Sequence, residues 1–395
     1  MDELQYFKIP TLALTYPKPL VPVLPTFSWQ QVCLKPQKIS AFQDSNTVSL
    51  SSGRIAILHA LQHSGITADD CVLLPAYHCM SMIEPVVWLG AKIKFYPLHE
   101  NLEPDFSNLP SLLDRSVKAV LIPHFFGFMQ DISHWYEVFR VHGVTVIEDC
   151  AHAYLSERDG VKAGMTGDYA VCSTVKFFPG TEGGVLRSKH KLNIPLQPRT
   201  WFHQLKALKN ILETTRGSSN LQTLTEPTEI VQAETRLPET EDVASVNKYQ
   251  LKYLEPEKTN WALTWANRWV VEHSQQQMII ELRKKNFLYL AKALTQLKFA
   301  KPLFSDLPTG TVPYVFPLIL TRPELDFPLL KNAGIPLLRW EELVVNSCGT
   351  SHQYRLKLVQ LPVHQALSKT ELDWLIATLK NILNMDSPAK QSITV

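Results

Sequence analysis

The stretch STVKFFPGTEGG, residues 173–184, sets Lys176 among apolar and small residues just ahead of a Gly-Gly pair. Lysine is seldom found inside a protein unless its charge is paired or its amine is used chemically. Asp149 closes the apolar run VTVIEDC (144–150), a setting in which a carboxylate needs a cation or hydrogen-bond donors. Two readings of this pair stand open. Asp149 and Lys176 form a structural ion pair, or Asp149 faces the protonated ring nitrogen of a cofactor. SSGR (51–54) opens a helical run, and its free N–H groups, helix dipole and Arg54 guanidinium suit a phosphate. A phosphate cradle, a strand-end aspartate and a strand-end lysine are together what pyridoxal phosphate requires. The phosphate takes the helix start, the pyridine nitrogen takes the carboxylate, and the aldehyde takes the lysine as a Schiff base. SSGR fits neither a G-x-G-x-x-G fingerprint nor a P-loop, and no G-x-S-x-G elbow supports serine-nucleophile chemistry. His78, His124 and His152 with Asp149 offer a rival reading as a metal site. No H-E-x-x-H or similar spacing supports it, and no metal is expected.

These groups act together only if the fold brings them to one place. Short apolar runs recur as CVLLPAY (71–77), KIKFYPL (92–98), KAVLIPHF (118–125), VTVIEDC and DYAVCST (168–174). Helix-length segments such as MSMIEPVVWLGA and DISHWYEVFRVHG lie between them. Continuous apolar strands alternating with helices predict a three-layer αβα domain with a mostly parallel sheet. In such sheets ligands bind beyond the carboxyl ends of the strands. The strand ends here carry Tyr77, His78 and Cys79, then His124, then Asp149 and His152, then Ser173 to Lys176.

Outside that rhythm, residues 1–45 are proline-rich and predict an irregular arm, and 46–188 form the large domain. Residues 189–260 are an irregular, partly helical excursion. Residues 261–395 predict a small C-terminal α+β domain, with one long helical stretch over 270–297 and a last helix opened by Ser368 and Glu371 at capping-box spacing. The 395 residues suffice for two domains, and 45% apolar with 19% charged residues describes a globular chain. A formal net charge of +2, without a basic block, gives no nucleic-acid signature. The start MDELQYFKIP is too polar for a signal peptide, and no apolar run approaches a bilayer span. Six scattered cysteines lack a C-x-x-C pair, which fits a reduced, cytoplasmic setting.

On these motifs the chain resembles the fold-type-I, pyridoxal-phosphate-dependent aminotransferases, specifically their DegT/DnrJ/StrS sugar-aminotransferase branch. SSGRIAILHAL, DDCVLLPAYHCMSM, PHFFG, VIEDCAHAY and GDYAVCSTVKFFPGTEGGVL carry the resemblance from about 50 to 188, and it resumes more faintly from about 280 to 384. It implies Lys176 in the Schiff base, Asp149 on the pyridine nitrogen and His152 beside the ring near its hydroxyl. It implies Gly53, Arg54 and Ser173 at the phosphate and His124 on the substrate side. Direct alignment gives Cys79 at the position of the ring-stacking aromatic, with Tyr77 or His78 as substitutes. Asn247 in SVNKYQ stands for the segment donated across a dimer interface, and Arg339 with Trp340 reaches the cleft from the small domain. Gly183 and Gly184 let the backbone bend beneath the site.

The implied reaction moves an amino group from an amino acid, glutamate by resemblance, to a keto group on a nucleotide-linked sugar. A homodimer is implied as well, with no nucleic-acid or membrane partner. A related dehydratase branch carries histidine where this chain has Lys176, which disfavours that chemistry. Two departures stand out: the three-residue step from Ser173 to Lys176 is shorter than in familiar members, and no aromatic occupies position 79. They keep a second reading in view, a non-catalytic descendant of the fold with a binding or regulatory role.

Overall fold

The computed structural model describes residues 4–7, 16–216, 243–246 and 251–386. The chain opens with β1 (Leu4–Phe7). A large α/β unit then runs through β2 (Thr47–Leu50), α1 (Gly53–His63), β3 (Cys71–Pro75), α2 (Met80–Leu89), β4 (Lys92–Tyr96), α3 (Leu109–Leu112) and β5 (Val117–Pro123). It continues through α4 (Ser133–Val141), β6 (Thr145–Asp149), the hairpin β7 (Glu157–Arg158) and β8 (Val161–Lys162), β9 (Tyr169–Ser173) and β10 (Gly184–Ser188). Next come α5 (Trp201–Arg216) and β11 (Val243–Val246). The C-terminal part holds α6 (Trp265–His273), α7 (Gln276–Ala293), β12 (Ala300–Pro302), β13 (Val315–Leu320), α8 (Pro323–Asn332), α9 (Gly349–Lys357), β14 (Leu358–Pro362) and α10 (Lys369–Asn384).

Seven strands form one sheet in the order β2-β10-β9-β6-β5-β3-β4. From β4 to β9 the neighbours are parallel, and β10 runs antiparallel to both β9 and β2. Period-two alternation sorts the apolar runs onto two faces. Val72, Leu74, Ala119, Leu121 and Ile147 pack under α1 and α2. Leu73, Val120, Ile122 and Val146 turn to the opposite face, where Phe139 of α4 meets them and the core continues into the C-terminal part. Burial on both faces is why these strands read as unbroken apolar runs. The small C-terminal unit is an antiparallel sheet β12-β13-β14 backed by helices, and Ser368 and Glu371 make the reciprocal capping box on α10. Among the described residues no helix is long and apolar enough to cross a membrane.

Two local expectations change. The arm is not wholly irregular: β1 pairs antiparallel with β11, and Tyr6 bridges to Val344. The helical stretch over 270–297 is broken at Ser274 and Gln275. There the arm takes over the helix's donors: Gln275 N–H binds the Gln31 carbonyl at 2.9 Å and Gln276 N–H binds Gln37 Oε1 at 2.7 Å. The Gln275 amide also donates to the carbonyls of Gln30 and Val32.

Ser173 ends β9 inside the sheet and Lys176 follows in the next turn, and the glycine pair fixes how close α1 lies to them. Gly183 bridges Ser52 in parallel fashion, and Gly184 pairs with Ser173 and Leu50. A Cβ on Gly184 would run into the Ser52 carbonyl and stand 2.6 Å from the Gly53 nitrogen. Gly184 therefore serves close approach of backbone to the start of α1, while Gly183 adopts a φ of 149° that favours glycine, with a Cβ there running into Thr174 Oγ1. Gly184→Ala is expected to lower stability by about 2–3 kcal/mol through backbone overpacking. Urea unfolding of the two proteins measures this, and an unchanged midpoint refutes it.

Candidate functional site

A cavity of about 140 Å³ opens at the carboxyl ends of β5, β6 and β9, against the first turn of α1. Asp149 ends β6 there, 5% exposed, its Oδ1 accepting the Ala151 N–H at 2.9 Å. Burial pushes its carboxyl pKa up, against the lowering charge of Lys176 and the Ala151 hydrogen bond. Lys176 closes the short 3-10 turn Thr174–Lys176 after β9, half-buried, and lines the same cavity. Burial pulls its amine pKa down, and the Arg54 charge pushes the same way against Cys79, Asp149 and Cys172. The amine lies 5.4 Å from the Tyr314 ring centroid, and no carboxylate among the described residues forms an ion pair with it. Two groups of opposite charge thus line one cavity, each disfavoured in its charged form by burial. The simple structural ion pair is not what forms.

His152 lines the cavity as a neutral base. Its Nδ1 accepts the Phe126 N–H at 3.1 Å, so the proton sits on Nε2 by assignment from that bond. Burial first, and then the Lys176 charge, hold its pKa well below the usual histidine value. The ring stacks on Tyr314 at 4.6 Å and on Phe126 at 5.6 Å. Phe126 adopts a left-handed φ of 58°, and its carbonyl receives the Tyr314 N–H at 2.8 Å. That conformation is costly for a bulky residue and is held here by tertiary contacts.

At the other end of the cavity Ser52 caps α1, its Oγ accepting the Ile55 N–H. A Cβ on Gly53 would stand 3.2 Å from both the Cys172 carbonyl oxygen and Ser173 Cβ. Ser52, Gly53 and Ser173 thus form a tight cradle at a helix N-terminus. Arg54 lines the wall, but its guanidinium is already occupied. It donates to the Tyr253 carbonyl at 2.7 Å and to Ser81 Oγ at 3.0 Å, and its Nε lies 3.5 Å from Glu84.

Of the three strand-end candidates for a ring contact, only Cys79 lines the cavity. Cys79 is the N-cap of α2, so the chain turns between 76 and 79 and successive side chains diverge. His78 faces away, stacked on Phe95 at 4.9 Å; its Nδ1 binds the Pro75 carbonyl and its Nε2 accepts the Val344 N–H at 3.0 Å. Burial pushes its pKa down to about 4. Tyr77 is fully buried beside Trp340 and Phe125. His124 borders the cavity, yet both ring nitrogens are used: Nε2 donates to Glu148 at 3.0 Å and Nδ1 accepts from Gln130 N–H. Arg339 lies outside, on an adjoining cleft of about 310 Å³, paired with Glu341 and bound to the Leu356 carbonyl. Asn247 lies outside the described residues.

The metal set read from the sequence does not assemble, because His78 is absent from the cavity. A different trio, His124, Glu148 and Cys150, brings its ligand atoms within 4.8 Å behind it. There the Glu148 oxygens already accept from His124 and from the N–H groups of Gly164, Thr166 and Gly167. Burial alone would raise the Glu148 pKa, but His124 and the backbone donors hold it below the ordinary 4.5.

Sequence reasoning passed over Arg283. Its side chain is fully buried on α7 and meets carbonyls rather than a carboxylate: those of Pro313, Tyr314 and, at 2.8 Å, Lys176. Its Nε donates to Gln365 Oε1, whose own amide donates to the Phe177 carbonyl. Burial pushes the guanidinium pKa down to about 9. The signal was available: Arg283 sits four residues from both Ile279 and Phe287, on the buried stripe of α7.

Two outcomes follow from these bonds. Arg283→Met keeps an apolar stem but strips three buried carbonyls of their donor, and it is expected to cost about 2–4 kcal/mol in urea unfolding. Arg283→Lys, without the planar fork, should recover only part of that loss; full recovery contradicts it. Because the Glu148 carboxyl is depressed, its stabilisation is complete above the ordinary glutamate value and is lost as pH falls through the folded pKa. The stability gap between wild type and Glu148→Gln should therefore be full at neutral pH and shrink on acidification. A gap independent of pH overturns it.

Residues 37–191 match the DegT/DnrJ/EryC1/StrS aminotransferase family. GDP-perosamine synthase of Vibrio cholerae is 29% identical over 155 residues, 38% of this chain and 41% of that protein. The chain thus spans between about a quarter and about two fifths of the length of the curated relatives it matches. Among solved structures, Helicobacter pylori PseC, an aminotransferase involved in the biosynthesis of pseudoaminic acid, is similar over 93% of this chain and 99% of its own. The TM-score is 0.66 at 13% identity. A putative sugar aminotransferase, Spr1654 from Streptococcus pneumoniae in its PMP-form, is similar over 86% of this chain and 87% of its own. Here the TM-score is 0.60 at 15% identity. At these identities the likeness shows the fold, and the α/β architecture expected from the strand–helix rhythm is borne out.

Proposed function

From a chain that carries the DegT/DnrJ/EryC1/StrS aminotransferase pattern over residues 37–191, we propose a pyridoxal-phosphate-dependent aminotransferase with Lys176 as the amine that holds the cofactor. One observation carries the proposal: Asp149 and Lys176 line the same cavity, burial disfavours both charges, and no ion pair joins them. A cationic ring nitrogen beside Asp149 and an aldehyde at Lys176 would relieve both. The cradle of Ser52, Gly53 and Ser173 fits a phosphate on the same group, with the α1 N–H groups and dipole as its donors. The solved PMP-form of a structural neighbour agrees with the assignment.

When bound, the cofactor supplies an electron sink for carbanion chemistry at an amino acid's Cα. The residues around it do the rest. Asp149 holds the proton on the ring nitrogen. Lys176 Nζ, on the cavity wall and with its pKa lowered by burial, would move a proton between the donor's Cα and the bound cofactor in one half-reaction and between the cofactor and the acceptor carbon in the other. His152 stays neutral and offers Nε2–H as a donor for the ring hydroxyl. His124, locked on Glu148 and on the Gln130 N–H, shapes the wall.

The donor in this proposal is an amino acid, glutamate first, and the acceptor is a keto group on a nucleotide-linked sugar, the class to which the Vibrio cholerae relative's name points. A cytoplasmic homodimer completes it, with Asn247 and Arg339 as substrate-side residues. A second reading, a non-catalytic binding or regulatory protein, draws on Arg54, whose guanidinium is engaged by Tyr253, Ser81 and Glu84.

Borohydride treatment of protein purified with pyridoxal phosphate decides the assignment. Cofactor mass should appear on the peptide containing Lys176 and be absent from Lys176→Ala; attachment elsewhere sinks it. Glutamate added to the untreated holoprotein should bleach the visible absorbance of the bound cofactor. If no amino acid changes that spectrum, the non-catalytic reading holds.

A further inference from the structure

Among the described residues lining the cavity, one indole or phenyl ring is present, and it comes from the C-terminal part of the chain: Trp340. Every other wall belongs to the large α/β unit. We propose that Trp340 is the aromatic surface against which the cofactor's flat ring packs, taking a place that no side chain at the end of β3 fills. This inference rests on the pyridoxal-phosphate reading above.

Three observations support it. The β3 end has no ring to offer. Cys79 lines the cavity with a small thiol, while Tyr77 and His78 are turned away and buried. The two imidazoles at the wall are committed elsewhere: His152 is stacked on Tyr314 and Phe126, and His124 is fixed to Glu148 and Gln130. Trp340 is half-buried, its centroid 5.6 Å from His152, with Tyr77 behind it at 5.0 Å and Phe125 at 6.1 Å.

The backbone around Trp340 also holds the indole in place. Trp340 belongs to an irregular strap, residues 339–346, that crosses from the small sheet to the end of β3. On one side Arg339 is pinned to Glu341 and to the Leu356 carbonyl. On the other, Val344 N–H donates to His78 Nε2 and the Asn346 side chain donates to the Ala76 carbonyl, each at 3.0 Å. β1 adds two backbone bonds of 2.8 Å, from Phe7 N–H to the Leu343 carbonyl and from Val345 N–H to the Gln5 carbonyl. An indole fixed from both sides and backed by aromatic rings is a preorganised wall, and such a wall favours an offset-stacked planar ring. His78 and Tyr77, which look like cofactor contacts in the sequence, anchor and back that wall instead.

Pyridoxal phosphate titrated into apoprotein tests this, with the cofactor's visible absorbance and the quenching of tryptophan emission as readouts. Trp340→Leu keeps apolar bulk but removes the flat ring, and its dissociation constant should rise by about tenfold or more. Trp340→Phe should stay within about threefold of wild type while showing less quenching on saturation, because the emitter nearest the cofactor is gone. Equal affinity of Trp340→Leu and wild type, or unchanged quenching in Trp340→Phe, overturns the inference. Wild-type protein that takes up no cofactor overturns the underlying reading instead, so the two failures are distinguishable.

Discussion

The lysine-bearing turn depends on a guanidinium that has no carboxylate partner among the described residues. Arg283 reaches from α7 into the interface between the two sheets and hands its donors to the carbonyls of Lys176, Tyr314 and Pro313 and to the Gln365 amide. An anionic partner would neutralise the cation and leave the neighbouring carbonyls without donors. A ring of carbonyl dipoles disperses the charge and ties three chain segments together. The Phe177 ring, 4.5 Å from the guanidinium carbon, adds a cation–π face. Lys176 is therefore held by its backbone from below while its amine stays unpaired above. That division lets a half-buried lysine keep a defined position without an ion pair that would tie up the amine.

The same separation of support from chemistry runs through the neighbouring positions. Glu148 and Asp149 are adjacent in β6, yet one is saturated and the other is not. Glu148 points behind the cavity and collects an imidazole and three backbone N–H groups. Asp149 points into the cavity with one N–H on Oδ1. Strand alternation does the sorting: one residue of the pair anchors the loop 164–167 and the other lines the cavity. Burial raises the Asp149 pKa, while His124 and the backbone donors hold that of Glu148 down, so the two neighbours differ in pKa direction as well as in partners.

The strand-end geometry was legible because β3, β5, β6 and β9 are buried on both faces and so read as unbroken apolar runs with polar ends. Lys176, Asp149, His152, Ser173 and Gly53 fall together for that reason. Side-chain direction past a strand end was not legible: Tyr77, His78 and Cys79 follow one another, and which faces the cavity is decided by the turn into α2. The break at Ser274 was hidden as well, since its cause is the arm's Gln31 and Gln37, some 240 residues away in sequence. Arg283 was visible as a charged residue on a buried helical stripe, but its target was not, because only the fold brings α7 to the turn at 174–176.

Cys79 and Trp340 bring two parts of the chain to one cavity wall. A ring carried on β3 would belong to the same rigid sheet as Asp149 and Lys176. A ring carried on the 339–346 strap belongs to a segment whose position depends on β1, on His78 and on the small sheet. Each of those supports is short: four residues of β1 and single hydrogen bonds at His78 and Asn346. Retention of a planar ligand thereby becomes coupled to the packing of the C-terminal part on the large one. The arm, which the composition marks only as proline-rich, becomes part of the wall's support.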